Sequence, residues 1–259
     1  AGFRGFQWQP HDPKTVQGVL QKALSAVACE PITLVCAGRT DSGVHGTGQV
    51  VHFDTLAQRP EKAWRLGARA HLPYGVSISW AQEVSPQFHA RFSAQARTYR
   101  YLLSDRPASH GLLHDQVSWF DRPLDINLMK EGAAHLVGEH DFSSFRAAQC
   151  QARNPVRCIH HLHLVRRGHL IVLEVQANAF LHHMVRNIVG VLSAVGHGDI
   201  PPGKVAEILA ARDRKAAGVT AKPNGLYLVK VDYPAMFALP EQSPGPLFID
   251  EPVGELIGR

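Results

Sequence analysis

No apolar run in this chain approaches the ~20 residues needed to span a bilayer, so no membrane helix is expected. Cysteine is scarce. Cys29, Cys36, Cys150 and Cys158 share no C-x-x-C spacing, which argues against a zinc ribbon or a disulfide framework and for reduced thiols in the cytoplasm. P-loop and G-x-G-x-x-G fingerprints are both missing. No secretory leader is visible, and the chain begins at Ala1 in loop-like sequence without Met, so its native start is expected to lie further upstream. Histidine, by contrast, is plentiful. His160-His161-Leu162-His163 and His182-His183 invite a metal reading, but neighbours on a strand point to opposite faces and no H-e-x-x-H element joins them, so no metal is expected.

The chain of 259 residues is long enough for one large domain or two modest ones with a sizeable core. Its formal net charge is +5, and its last twenty or so residues are acidic, with Glu241, Asp250, Glu251 and Glu255 against Arg259. A basic body suits a polyanionic partner. Arginines cluster at Arg91/Arg97/Arg100/Arg106, at Arg153/Arg157/Arg166/Arg167 and at Arg212/Arg214. Their planar forks suit phosphates and stacked bases better than lysines would.

Asp12-Pro13 supplies an N-cap and a first-turn proline for a helix in which Val16, Leu20, Leu24 and Val27 recur at helical spacing. Strand-like runs follow at 32–36 and 49–54, a helix at 60–71 and a strand at 76–84. With one strand ahead of residue 1, that order makes a split βαββαβ unit of the ferredoxin type. The second half repeats it: strand 97–104, a short strand at 116–120, and helix 124–137 with Leu128, Ala134 and Leu136 inward. A hairpin of 156–166 with 170–177 comes next, then helices 180–195 and 201–211, and a last strand at 226–231. The expected fold is therefore α+β, two split-βαβ subdomains related by a pseudo-twofold, with their sheets facing a central cleft. The boundaries fall at 1–96, 97–235 and an acidic Pro/Gly-rich tail at 236–259.

Between the first two strand runs lies Gly38-Arg39-Thr40-Asp41-Ser42-Gly43-Val44-His45-Gly46-Thr47. A lone carboxylate among glycines and cationic residues, with rigid elements on both sides, presents one reactive group to a cleft; the same loop also reads as an ordinary turn. Arg186 sits in the most apolar helix of the chain, on one stripe with His182 and Gly190. So placed, it either snorkels at the core edge or pairs with a carboxylate or phosphate. Arg97-Thr98-Tyr99-Arg100-Tyr101 puts Arg97, Tyr99 and Tyr101 on one strand face, which serves packing or stacks unpaired bases. Gly5-Phe6-Gln7-Trp8-Gln9 is an aromatic, amide-rich loop of the kind that contacts a partner.

Together these motifs resemble one family, the tRNA pseudouridine synthases of the TruA type. The loop at 38–46 is similar to its G-R-T-D-A-G-V-H signature and is followed by Gly48-Gln49-Val50-Val51-His52-Phe53. The likeness continues through Phe88-His89-Ala90-Arg91-Phe92-Ser93-Ala94, residues 97–101, residues 138–146, Ala177-Asn178-Ala179-Phe180, residues 184–190 and Gly225-Leu226-Tyr227-Leu228. By that resemblance Asp41 is the catalytic aspartate, Tyr99 stacks on the target base and Arg186 is the buried basic partner of the aspartate. Arg39 helps extrude the nucleotide, and Leu226 walls the uracil pocket. Phe6, His45 and Arg97 complete the residues expected to meet RNA. The implied reaction isomerises uridine to pseudouridine at positions 38, 39 and 40 of the tRNA anticodon stem-loop, without cofactor, in a homodimer. Ser42 stands where the family has Ala, Phe6 and Trp8 stand for a usual Trp and Arg, and Lys222-Pro223 alters the approach to the last strand. A non-catalytic RNA-binding protein with tandem sheets is the competing reading, and Asp41 in a loop facing RNA is what it leaves unexplained.

Overall fold

The computed structural model describes residues 2–9, 12, 14–109, 111–241, 243–246 and 248–249. Along the chain run α1 (Val16–Ala28), β1 (Val35–Cys36), β2 (His45–Gly46), β3 (Val51–His52), β4 (Ala96–Ser104), β5 (Ser118–Trp119) and α2 (Ile126–Ala134). Then come β6 (Gly138–Asp141), β7 (Val156–Arg167), β8 (Leu170–Ala177), α3 (Met184–Gly196), α4 (Lys204–Ala211) and β9 (Leu226–Asp232). The fold is α+β, as expected.

Long strands form where β-branched, aromatic and leucine residues run without glycine or proline, as in β4, β7 and β8. They build one sheet in the order β2-β9-β4-β8-β7-β6, with β5 joining β4 beyond the end of β9. The pairings of β4 with β8 and β9 and of β7 with β6 and β8 are antiparallel; β2 lies parallel to β9. α2 and α3 cover one face. Met129, Ala133, Leu136, Ile188 and Leu192 pack there against Leu162, Leu164, Leu173 and Val175. Apart from Ala133, each such side chain contributes roughly 1.5–3 kcal/mol on burial. Asp125 caps α2 by accepting the Asn127 and Leu128 N–H groups. The other face carries Leu102, Val172, Tyr227 and Val229 under Ile249.

A separate cluster surrounds α1, in which Leu20, Leu24, Ile32, Leu34 and Trp64 are buried together. The expected cap of this helix lay at Asp12-Pro13. Thr15 caps it instead, its Oγ1 accepting the Gly18 N–H at 3.3 Å, and Pro13 lies outside the described residues. The strand runs of this region are short, for β1 and β3 share only Val35↔His52 and Cys36↔Val51. Residues 76–84 form no strand among the described residues. Ile78 and Ala81 pack on the α1 cluster, so their apolar spacing records burial rather than ladder pairing. Residues 60–71 are helical in part, with a π-helical turn at Ala63–Gly67.

Three further boundaries move. α2 ends at Ala134, which is exposed, while Ala133 takes the inward position. α3 begins at Met184 rather than 180, because His183 adopts a left-handed conformation (φ 61°, ψ 5°) that no α-helix continues through. α4 likewise starts at Lys204.

Candidate active site

The loop between β1 and β2 is fastened at both ends. Gln49 donates to the Gly38 carbonyl at 2.6 Å and accepts its N–H at 3.4 Å. β2 pairs with β9 at His45↔Tyr227 and Gly46↔Leu228, and Thr47 and Gly48 both donate to the Leu228 carbonyl. The turn itself closes when Val44 N–H donates to the Asp41 carbonyl at 3.1 Å. Gly43 makes it possible: its φ is +81°, and a Cβ there would lie 2.9 Å from the Pro223 ring. So held, Asp41 aims its carboxylate at the start of α3.

Three cationic or hydrogen-bonding groups meet that carboxylate. Arg186 Nη1 donates to Oδ2 at 3.3 Å while its Nε donates to the Ala221 carbonyl at 2.8 Å. His182 Nε2 is hydrogen-bonded to Oδ1 at 3.2 Å, and His183 Nε2 lies 3.2 Å from Oδ2. Burial pushes the His183 imidazole below the ordinary histidine value against the opposing pull of Asp41, with His182, Arg186 and Arg214 adding to the depression. It is therefore uncharged near neutral pH. Asp41 keeps about 29% of its side chain exposed, and Arg186 about 14%. The carboxylate thus opens to the cleft while its guanidinium partner is largely walled in.

That cleft has a volume of about 960 Å³ and contains Asp41, Arg186, Tyr99, Leu226 and Arg39 together. Tyr99 sits at a register shift of β4 against β9 and meets Phe180 edge-on, with ring centroids 5.0 Å apart. Its ring is mostly buried, and that burial pushes its hydroxyl up to about 12. Arg39 is exposed and makes no hydrogen bond or ion pair among the described residues. Leu226 is buried at the first position of β9.

Three residues expected to meet RNA carry internal contacts. Phe6 is only 5% exposed, and its N–H donates to the Thr40 carbonyl, so it braces the loop from behind rather than facing a partner. His45 is turned away, with Nε2 2.7 Å from the Asp115 carbonyl and its ring stacked on Tyr227. Arg97 does border the cleft, but both terminal nitrogens are spent on the carbonyls of Ala94, Asn178, Ala37 and Arg91. It acts as a strut. Tyr101, paired with Tyr99 by strand period, is core: its hydroxyl meets Ser118 Oγ and the Lys222 carbonyl. Several clustered arginines are also used internally, among them Arg100, Arg166 and Arg214.

His182 and His183, expected inside the helix at 180–195 and not to hold a metal, lie ahead of α3 with rings 4.0 Å apart, and both reach Asp41. The four-residue spacing from His182 to Arg186 hinted at this; the left-handed residue between them did not show in the sequence. The donor atoms of Asp41, His182 and His183 fall within 4.8 Å of one another, as do those of His161, His163 and Glu174. In each group a guanidinium already neutralises the carboxylate, Arg186 in the first and Arg100 in the second.

An α+β sheet that presents one guanidinium-paired carboxylate in an arginine-bordered cleft, beside a buried tyrosine, defines an enzyme built for a polyanionic substrate. The profile of the tRNA pseudouridine synthase family matches residues 2–93 and 133–234, and the chain belongs to that family. A "tRNA pseudouridine synthase A" of Pseudomonas aeruginosa is 54% identical over 247 residues, 95% of this chain and 87% of that one. One from Nitrosococcus oceani is 55% identical over 243 residues, covering 94% and 93%. One from Methylococcus capsulatus is 54% identical over 239 residues, covering 92% and 88%. No helix among the described residues is long and apolar enough to cross a membrane.

Proposed function

We propose that this chain isomerises uridine to pseudouridine at positions 38, 39 and 40 of the tRNA anticodon stem-loop, with Asp41 as the reacting group and no cofactor. One observation supports the reading above the others: Asp41 meets Arg186 at 3.3 Å in the cleft shared with Tyr99 and Leu226. In the reaction the C1′–N1 bond breaks, the uracil turns, and C1′ bonds to C5; the C5 proton is lost and N1 gains one, so no atom leaves the product. An anionic carboxylate serves this by adding at C1′ or by taking a proton from C2′.

A uridine in a stem reaches such a carboxylate only by leaving its stack, which costs a few kcal/mol. Tyr99 supplies a surface on which base stacking contributes ~1–3 kcal/mol. Arg39, exposed and untethered, is free to hold phosphate or fill the vacated space. Arg186 pairs with the Asp41 carboxylate in a site that excludes water once RNA covers it. The reading includes a homodimer acting in the cytoplasm, which sedimentation and cell fractionation test.

The decisive experiment incubates the protein with transcribed tRNA and maps pseudouridine by chemical labelling. The wild-type chain is expected to modify positions 38, 39 and 40, and Asp41→Asn to bind tRNA while losing turnover by roughly 10³-fold or more. Unmodified RNA after incubation with the wild-type chain overturns the reading and favours a non-catalytic RNA-binding protein.

A further inference from the structure

The segment Phe88-His89-Ala90-Arg91-Phe92-Ser93 contributes no atom to the Asp41 pair, yet it holds a large aromatic ring out in solvent. Phe92 is 76% exposed. A ring so placed on a surface loop ordinarily moves freely, but this one is stacked on His89 with centroids 4.3 Å apart and planes 28° from parallel. The His89 ring is fixed in turn, because its Nδ1 accepts the N–H groups of both Arg91 and Phe92. The turn is closed by His89 N–H donating to Ser93 Oγ at 3.0 Å and Ser93 N–H donating to the His89 carbonyl at 2.9 Å.

Three contacts anchor the turn to the body. Ala90 N–H donates to His52 Nδ1 at 3.0 Å, the Tyr233 hydroxyl donates to the Ala90 carbonyl at 2.6 Å, and Arg97 donates to the Arg91 carbonyl at 2.8 Å. Arg91 borders the Asp41 cleft, and its guanidinium carbon lies 5.5 Å from the Phe92 centroid. One face of the ring is therefore covered by imidazole. The Arg91 guanidinium lies over the ring at that distance, and Arg91 itself borders the cleft.

From this geometry we infer that Phe92 is a stacking platform for a second, unpaired base of the substrate RNA, with Arg91 placed for the adjoining phosphate. The inference rests on the proposed tRNA substrate and adds a subsite at the rim of the same cleft. Preorganisation is what favours a base: a ring already locked in place loses little freedom when a second flat surface covers it. Base–aromatic stacking tolerates any base, so the platform grips RNA without reading sequence.

The test measures equilibrium binding of transcribed tRNA in an Asp41→Asn background, which removes turnover from the readout. Phe92→Ala and Phe92→Leu are expected to weaken binding about tenfold, and Phe92→Trp to retain it, with the same dependence on salt in all four proteins because no phosphate contact is lost. Thermal melting checks that each variant is folded. Three results overturn the inference. Ala and Leu variants binding within twofold of the parent leave the ring no role. A Leu variant as tight as the Trp variant makes the contact merely apolar. A change in sedimentation on Phe92→Ala places the ring between two copies of the chain instead. Failure of the proposed substrate is separate, since it shows as unmodified tRNA with the wild-type chain.

Discussion

Two carboxylates in this molecule have the same company and opposite fates. Asp41 meets Arg186, His182 and His183; Glu174 meets Arg100 and His161, with His163 stacked on His161. Tyr99 and Arg100 are consecutive on β4, so one points toward the first group and the other toward the second, on opposite faces of one sheet. The difference lies in closure. Glu174 is 12% exposed and Arg100 2%, and Arg100 Nη1 also donates to the carbonyls of Pro244, Gly245 and Ile249. Burial alone would raise the Glu174 carboxyl, but hydrogen bonds from His161 and Arg100 outweigh it and hold the group below its ordinary value. Asp41 carries similar partners in an open cleft, where a ligand can reach it. Similar chemistry is closed off when every partner is internal and accessible when one side is left uncovered.

That contrast is easiest to break from the closed side. Arg100→Met leaves the buried Glu174 with only His161 as partner and strips three carbonyls of their donor. Urea unfolding is expected to show a loss of about 3–5 kcal/mol, with tRNA turnover per folded molecule unchanged. An equal loss of turnover would mean that the two faces are coupled through β4. On the open side, Arg186→Met is expected to lower single-turnover rates by roughly 10²-fold while tRNA affinity moves little, because the lost charge acts on Asp41 and not on phosphate. Equal losses in rate and affinity would make Arg186 an RNA contact.

The smallest effect sharpens the comparison through pH. Burial, with His161 adding, pushes His163 below the ordinary histidine value of 6.5, and Glu174 is held below 4.5. Both groups bind protons more weakly folded than unfolded, so their stabilisation is complete above those ordinary values and is lost as pH falls through the folded ones. Melting temperature is therefore expected to fall in two stages on acidification. Glu174→Gln should shrink the lower stage, to which Asp105 and Asp141 also contribute, and leave the upper.

Much of the sheet was legible. The run 170–177 reads directly as β8, and 97–104 is β4 short by one residue, because both are rich in strand-forming residues and free of glycine and proline. The α1 region was less so: apolar spacing at 76–84 marks residues packed under a helix as readily as residues in a ladder. At the site, Asp41 and Arg186 stood out by being charged where their surroundings were glycine-rich or apolar. Phe6, His45 and Arg97 carry internal contacts for a common reason. A residue type states which bonds a side chain can make, and in each case the fold had already supplied the partner, whether the apolar interior, Tyr227 with the Asp115 carbonyl, or four carbonyls around one guanidinium.

What the sequence determined by itself was most of the long strands and helices, the loop that bears Asp41 and the family to which the chain belongs, because all of these depend on local pattern and on the order of motifs. Only the tertiary structure decided which charges stay free. Asp41 and Arg186 lie 145 residues apart, and a distance of 3.3 Å across such a separation follows from how β2 docks on β9 and where His183 turns the chain into α3. Those are properties of the packed sheet, which no local stretch of residues contains.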